Sequence, residues 1–199
     1  MKRPAGGHIS GTSENFTYFL LMEAAKIALD LAREKSGRSF YHSLHCIVST
    51  AFGLESYLNH LGERSIKFWK SLKRLSPHEK LRVLSIQLGF KPDMSVGPYQ
   101  SFAQVFSARD RAAHSESITR TFDRPATSED EEAIQVDQNP LELECTTAKA
   151  ERLFEDACEI IRDLHKRAGL PYDPLVVPGH TSWVRKWPAP SAGSEPEGT

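Results

Sequence analysis

Three side chains that can do chemistry lie close together in the chain: Arg109, Asp110 and His114. The planar guanidinium of Arg109 suits phosphate oxygens, and histidine is the side chain that exchanges protons most readily near neutral pH. Asp110 and His114 are four residues apart, so a helix places them on one face. A cation, a carboxylate and an imidazole at one helix end indicate a site that handles a phosphate group.

The helix that carries these residues is predicted from about Tyr99 to His114, and Arg109 lies in the middle of its apolar stripe. The stripe consists of Phe102, Val105, Phe106 and Ala113. An arginine on such a stripe is costly unless it is paired or faces a cleft. Two structural roles therefore compete with chemistry: Arg109 can pair with a buried acid, and His114 can cap the helix end, where the dipole favours a cation.

Two polar residues, Glu55 and Asn59, lie four apart within the apolar face of another predicted helix. We hypothesise that Glu55 faces the helix of Arg109 and balances its charge. The alternative is that Glu55 lies at the edge of the stripe and reaches solvent.

A basic run follows that helix and is a candidate contact for a nucleic acid. Its cations are Lys67, Lys70, Lys73 and Arg74, and Trp69 stands among them. Together they could follow a nucleic-acid backbone, with Arg111 as a further cation beside the motif. A solvated helix face is the more common outcome for this spacing.

We expect no metal and no cofactor. His42 and His45 could share a metal, but no carboxylate or cysteine completes a recognisable ligand set, so packing or surface roles are favoured. The chain has three cysteines that are far apart and form no CxxC pair. This pattern favours free thiols in a reducing cytosol. The motifs of P-loop enzymes, zinc proteases and serine hydrolases are missing from the sequence.

Apolar residues at helical spacing predict an all-α fold, an antiparallel bundle of four or five helices without a strand ladder. The predicted helices are Ser13 to Lys35, Phe40 to Leu61, the helix opened by Ser76-Pro77-His78-Glu79 that runs through Leu88, Tyr99 to His114, and Thr147 to Ala168. Ser13 is the expected cap of the first helix, and Ser76 with Glu79 forms a capping box. Gly62, Gly89 and Gly169 are the expected helix ends.

Three helices have predicted core faces. In the first helix the face is Phe16, Leu20, Ala24, Ile27, Ala28 and Leu31; in the second it is Leu44, Ile47, Val48, Ala51, Leu54, Leu58 and Leu61; in the last it is Leu153, Ala157, Ile160, Ile161 and Leu164.

The chain is predicted to have one folded domain with loose ends. Residues 1–12 are expected to be flexible and residues 13–170 to form the bundle, with an acidic loop at about 118–145 that holds a short extended piece at Leu141 to Cys145. Residues 171–199 are rich in Pro, Gly and Ser, carry Trp183 and Trp187, and are predicted to be a disordered tail.

Composition narrows the classes of function. The chain has 199 residues and a net charge of -1, so it has no overall basic footprint for tight non-specific binding to DNA. The apolar stretch from Phe16 to Met22 is too short for a membrane span or a signal peptide. We therefore expect a soluble cytoplasmic protein without a membrane partner.

The motif Arg109-Asp110-x-x-x-His114 resembles the R-x4-6-H signature of the HEPN superfamily, in which a polar residue often follows the arginine. As in that family, the motif ends a helix late in the bundle. Glu79-Lys80-Leu81-Arg82-Val83-Leu84 with Gly89 resembles the segment upstream of the motif, and the stretch from Phe52 to Asn59 resembles the second helix of the family. The likeness covers roughly residues 15–168.

The resemblance implies an antiparallel four-helix core, a side-by-side homodimer and a composite cleft in which both copies of the motif face each other. Active members are metal-independent endoribonucleases, which implies RNA as the partner. His114 would act as general base or acid toward the ribose 2′-hydroxyl or the leaving oxygen, and Arg109 would hold the scissile phosphate and stabilise its charge. Asp110 would orient its neighbours. A cyclic phosphate end is the expected product, and DNA should survive.

Three interpretations follow. The first is a homodimeric HEPN-type ribonuclease, a stress or defence effector or toxin with a cognate regulator or antitoxin. The second is a non-catalytic HEPN dimer that binds RNA or a protein, and the third is an unrelated helical scaffold. The first requires that Arg109 and His114 project into a groove shared by two subunits, and it fails if either is locked inside its own protomer.

Overall fold

The computed structural model describes residues 8–34, 37–115, 117, 119 and 140–186. These residues are mostly helical, with a two-stranded sheet, and they fall into two units, one of residues 16–177 and one that contains the two strands. The helices are α1 (Thr17–Arg33), α2 (Ser39–Ser65), α3 (Pro77–Gln87), α4 (Gly97–His114), α5 (Pro140–Glu144) and α6 (Thr147–Arg167), with a short 3₁₀ turn at Trp69–Leu72. The strands are β1 (His8–Asn15) and β2 (Gly179–Lys186). Among the described helices, none combines the length and the apolar character that crossing a bilayer requires.

Helix α2 is the element against which α1, α3, α4 and α6 all pack. Its predicted core face is largely confirmed, since Ile47, Ala51, Leu54, Leu58 and Leu61 are buried and Leu44 and Val48 are half-buried. Small residues on the other sides of α2 are buried as well, among them Ser43, Ser49 and Gly53. Small side chains let neighbouring helices approach closely, so α2 can be surrounded without voids. The predicted stripe of α6 is buried in full.

The predicted face of α1 is confirmed at Phe16 and Ala28, which are buried, but the helix otherwise buries a different stripe. The buried residues are Tyr18, Met22, Ala25, Ala28, Leu29 and Ala32, whereas Leu20, Ile27 and Leu31 are exposed. The prediction was wrong at the exposed positions because α1 carries two apolar stripes, and periodicity cannot choose between them. Packing selects the stripe rich in alanine. The Met22 side chain lies directly against Gly53 of α2, where an added Cβ would be only 2.7 Å from the Met22 sulfur.

The strand pair corrects four further predictions, and the first is that the fold has no strand ladder. Strands β1 and β2 pair antiparallel, from His8 opposite Lys186 to Asn15 opposite Gly179. Residues 8–12 are therefore not a flexible end, and the segment after 170 is structured as far as Lys186. Ser13 lies in β1, and its hydroxyl is hydrogen-bonded to that of Thr181 instead of capping α1. All of β1 is exposed, so it has no apolar alternation by which a sequence pattern could reveal it.

Two smaller predictions are also wrong. The Leu141 to Cys145 piece is mainly the short helix α5 rather than an extended segment, because its Leu-Glu-Leu-Glu alternation mimics a strand. Ala113 in α4 is exposed. Most of the predicted acidic loop, and Trp187, lie outside the described residues, while Trp183 is an exposed residue of β2.

Several of the predicted helix ends are confirmed. The capping box opens α3: the Glu79 backbone N–H donates to Ser76 Oγ at 3.3 Å, and the Ser76 N–H donates to Glu79 Oε2 at 2.8 Å. Gly89 and Gly169 follow α3 and α6 with φ of 69° and 66°, the left-handed conformation typical of a glycine after a helix.

The cysteines are buried free thiols, as predicted from their spacing. Burial raises the pKa of Cys46 to about 12 and that of Cys158 to about 11. The thiols therefore stay protonated and unreactive at neutral pH.

Gly62 does not end α2, which continues to Ser65. A Cβ on Gly62 would stand 2.1 Å from Cε2 of the Trp69 indole, which is 1% exposed. The glycine is therefore needed for the close approach of this ring, and not for a turn.

We expect Gly62→Ala to lower the free energy of unfolding by about 2 kcal/mol, since overpacking, about 3 kcal/mol, outweighs the gain of alanine in a helix, about 1 kcal/mol. Urea unfolding measures the change. Gly37→Ala is the matched control, because a Cβ there would meet nothing within 4 Å. Equal stability of the two variants would contradict the steric role of Gly62.

Candidate functional site

Helix α4 is fixed on α6 by buried apolar contacts and by hydrogen bonds. Phe102, Val105 and Phe106 are buried. The Tyr99 hydroxyl donates to Asp163 Oδ2 at 2.8 Å, and Ser101 Oγ donates to Asp156. Burial acts to raise the pKa of Asp163, but hydrogen bonds from Arg167 and Tyr99 outweigh it, so the pKa is lowered and the carboxylate is charged at neutral pH.

Arg109 is held by two carboxylates of its own chain. Its Nη1 donates to Glu55 Oε2 at 2.9 Å, and its Nε and Nη2 donate to Asp110 Oδ1 at 2.9 and 2.7 Å. The guanidinium also lies over the Phe106 ring, 5.2 Å from its centroid. The pairing with Glu55 is the arrangement hypothesised from the sequence, and the alternative, in which Glu55 only reaches solvent, is not what the structure has.

A second cation, Lys80 of α3, shares the Glu55 carboxylate. Its Nζ donates to Glu55 Oε1 at 2.7 Å, and its side chain is 2% exposed. Burying an ammonium group is costly unless it is paired, so Glu55 is the group that makes the position of Lys80 tolerable. Sequence analysis missed Lys80 because it stands in a strongly charged segment, where exposure is the usual expectation.

The motif residues line one wall of an open groove of about 590 Å³. The residues on this side are Arg109, Asp110, Arg111 and His114, with Ala103, Phe106, Ser107 and Ser115 beside them. His114 is exposed and has no hydrogen bond to any described residue. The Arg109 side chain is 19% exposed, so it is engaged by its carboxylates but still open to the groove.

The start of α3 also lines the groove, with Ser76, Pro77 and His78. The exposed His78 ring meets the Phe102 ring edge-on at 5.2 Å and approaches the Phe106 ring at 6.1 Å. The groove is therefore lined by two imidazoles, those of His78 and His114. Sequence analysis identified His78 only as part of a capping box, because its place in the groove depends on how α3 packs.

Arg111 is engaged at the rim of the groove. Its Nη2 lies 2.6 Å from Glu144 Oε2, and its Nη1 donates to Ser107 Oγ at 2.8 Å. Both side chains of this ion pair are partly exposed. An exposed ion pair contributes little to stability, so a phosphate can compete for Arg111.

The basic run does not join the groove. Trp69 is buried against Gly62, so its ring is not available to the nucleic-acid backbone that the basic run was hypothesised to follow. Lys73 pairs with Glu63 at 2.6 Å, while Lys67, Lys70 and Arg74 are exposed. None of the four cations lines the groove.

The remaining candidates stand apart from the motif. Asn59 is half-buried, and its Oδ1 has no hydrogen-bond partner among the described residues. His42 is half-buried and His45 is exposed. Within the described part of the chain, no three His, Cys, Asp or Glu side chains are grouped so that they could hold a metal ion.

Comparisons of the chain with protein-family models, with curated proteins and with solved structures gave no match. The geometry of the groove is therefore what any functional argument for this chain must use.

We expect Glu55→Ala to lower the free energy of unfolding by about 3 kcal/mol, because it leaves the buried Lys80 without a counter-charge. Urea unfolding measures the loss, and adding Lys80→Met to Glu55→Ala should recover part of it. Asp110→Asn is the matched control: it removes the other, exposed partner of Arg109 and should cost less than about 1 kcal/mol. A Glu55→Ala variant of wild-type stability would contradict this account.

Proposed function

We propose that this chain is a HEPN-type, metal-independent endoribonuclease built on an antiparallel helical bundle that acts as a homodimer. The observation that supports the proposal is that Arg109 and His114 line the same open groove at the end of α4. The resemblance of Arg109-Asp110-x-x-x-His114 to the HEPN signature supplies the reaction class.

The proposed reaction is an internal phosphoryl transfer on RNA. His114 takes the proton of the ribose 2′-hydroxyl, and the 2′-oxygen forms a bond to phosphorus while the bond from phosphorus to the 5′-oxygen breaks. Arg109 holds the phosphate and stabilises its developing charge. The products are a 2′,3′-cyclic phosphate and a 5′-hydroxyl end.

The leaving 5′-oxygen needs a proton, and His78 is the group that we assign to this step. It lines the same groove as Arg109 and His114, so a phosphate seated at Arg109 would share the groove with two imidazoles. Protonated His78 gives its proton to the leaving oxygen as His114 gains one, so the proton count balances.

A phosphate can reach Arg109 without dismantling its support. The Asp110 side chain is 56% exposed, and a surface ion pair of this kind is worth less than about 1 kcal/mol. Phosphate oxygens can therefore replace Asp110 on Nε and Nη2, while Glu55 keeps Nη1 in place. In this proposal Asp110 orients the empty guanidinium and yields it to the substrate.

The second candidate function is a non-catalytic dimer that binds RNA or a protein. It is favoured by the charge balance of the site, since Arg109 and Lys80 face the carboxylates of Glu55 and Asp110. Because these charges cancel, the site attracts phosphate less strongly than an unpaired arginine would. One assay separates the two functions.

We expect the purified chain to cut labelled RNA in the presence of a chelator, to leave cyclic phosphate ends and to spare DNA of the same sequence. His114→Ala and Arg109→Ala should each reduce the cleavage rate about 100-fold or more. Lys67→Ala, an exposed cation outside the groove, is the control and should cleave normally. Folded protein that leaves several RNAs intact would favour the binding module.

The role of His78 is tested with an RNA whose scissile 5′-oxygen is replaced by sulfur, because a thiolate leaves without being protonated. His78→Ala should cleave ordinary RNA slowly and the sulfur-substituted RNA at close to the wild-type rate. His114→Ala should remain slow on both substrates, since the base step is unchanged. Normal cleavage of ordinary RNA by His78→Ala would remove His78 from the mechanism and leave the ribonuclease proposal standing.

A further inference from the structure

A cavity of about 380 Å³ lies between α1 and α6, apart from the groove that carries the motif. None of the described residues that line this cavity also lines the groove. Binding sites for small molecules usually have about 300 Å³ or more and combine apolar walls with a few charged or polar groups. The cavity has both parts, five apolar side chains and five charged ones.

The apolar part of the cavity comes from both helices and from the segment after α6. Met22 of α1 and Cys158 of α6 are buried, and Phe19, Phe154 and Leu175 are half-buried. The half-buried side chains keep part of their apolar surface in water, so a ligand that covers this surface gains free energy from the hydrophobic effect. The cavity therefore suits the apolar body of a ligand.

Hydrogen bonds hold the segment after α6 in place at the cavity. Arg162 Nε donates to Asp173 Oδ2 at 3.1 Å, and the Leu175 backbone N–H donates to Asp173 Oδ1 at 2.9 Å. Pro174, between these two residues, is buried. One carboxylate thus fixes Leu175 in the wall and also matches the charge of Arg162. A wall that is already ordered adds to affinity, because binding does not have to order it.

The charged part of the cavity has more carboxylates than free cations. The carboxylates are those of Glu23 of α1, which is half-buried, and of Glu155 and Glu159, which are exposed one helical turn apart on α6. None of the three forms an ion pair or a hydrogen bond with a residue that the structure describes. The lining cations are Lys26 and Arg162, of which Arg162 is already matched.

This excess of negative charge is local, since the whole chain has a net charge of only -1. It favours a cationic ligand over a phosphate or a carboxylate. The rings of Phe19 and Phe154 act in the same direction, because an aromatic ring attracts a cation to its face, and more strongly where water is displaced. The three carboxylates are not grouped so that they could hold a metal ion. The chemistry of the cavity therefore points to an organic cation.

We propose that this cavity binds an organic amine. The apolar body of the amine lies against Phe19, Phe154 and Leu175, and its protonated nitrogen lies at the carboxylates of Glu23 and of α6. Both parts of the ligand are needed, because an uncharged body gains nothing from the carboxylates and a small cation gains nothing from the apolar walls. This binding is separate from the proposed ribonuclease activity and requires neither RNA nor a second subunit.

Isothermal titration calorimetry of the full chain at low ionic strength tests the proposal with matched probes. Phenylbutylamine has the apolar body and the ammonium group, phenylbutanol keeps the body without a charge, and phenylbutyrate reverses the charge. We expect the amine to bind about tenfold more tightly than the alcohol, and the acid to bind more weakly than either. Butylamine, which has the charge but no ring, should bind about tenfold more weakly than phenylbutylamine.

A substitution in the cavity shows where the amine binds. Glu23→Gln keeps the size of the side chain and should weaken the binding of phenylbutylamine about fivefold, while the binding of phenylbutanol stays unchanged. Glu34→Gln is the matched control, because Glu34 is an exposed carboxylate just after α1 that does not line the cavity. Circular dichroism shows whether each variant is folded, and Glu159→Gln replaces Glu23→Gln if that variant is not.

The proposal is overturned if phenylbutylamine does not bind, or if it binds no more tightly than the alcohol and the acid. It is also overturned if the folded cavity variant binds the amine as the wild-type chain does, or if Glu34→Gln weakens the binding equally. The calorimetry contains no RNA, so each of these results leaves the ribonuclease proposal as it was.

Discussion

The carboxylate of Glu55 is the interaction on which the candidate site depends. It belongs to α2, and its two oxygens accept hydrogen bonds from Lys80 of α3 and Arg109 of α4. One side chain of α2 thus joins the two helices whose residues line the groove. Lys80 is almost fully buried, so its attraction to Glu55 is screened less than it would be in water. This attraction offsets the cost of burying the ammonium group.

The same pairing orients the Arg109 guanidinium and weakens its attraction for a phosphate. A guanidinium held at Nη1 keeps one orientation, which favours recognition of a phosphate, but each carboxylate near it lowers the local positive potential. The two carboxylates differ in exposure, since Glu55 is 26% exposed and Asp110 is 56% exposed. Glu55 therefore acts as a fixed support, and the electrostatics of the groove depend mainly on whether Asp110 stays in place.

The sequence predicted what depends on neighbours in the chain and missed what depends on distant partners. The capping box at Ser76 and the glycines after α3 and α6 are local signals, so these helix ends were predicted correctly. The Glu55–Arg109 pair was hypothesised because each residue is costly within an apolar stripe. Gly62, by contrast, accommodates Trp69, and His78 meets the groove only through the packing of α3 on α4. The strand pair joins segments more than 160 residues apart, which no local pattern reveals.

The pairing of β1 with β2 has a consequence for how the chain can be cut and rejoined. Because His8 stands opposite Lys186, polypeptides attached before one and after the other begin from neighbouring points. A short linker could therefore close these two points into a ring, and new termini could be opened elsewhere, the geometry that circular permutation needs. Fluorophores attached at these two points would stay within the range of efficient energy transfer for as long as the two strands remain paired.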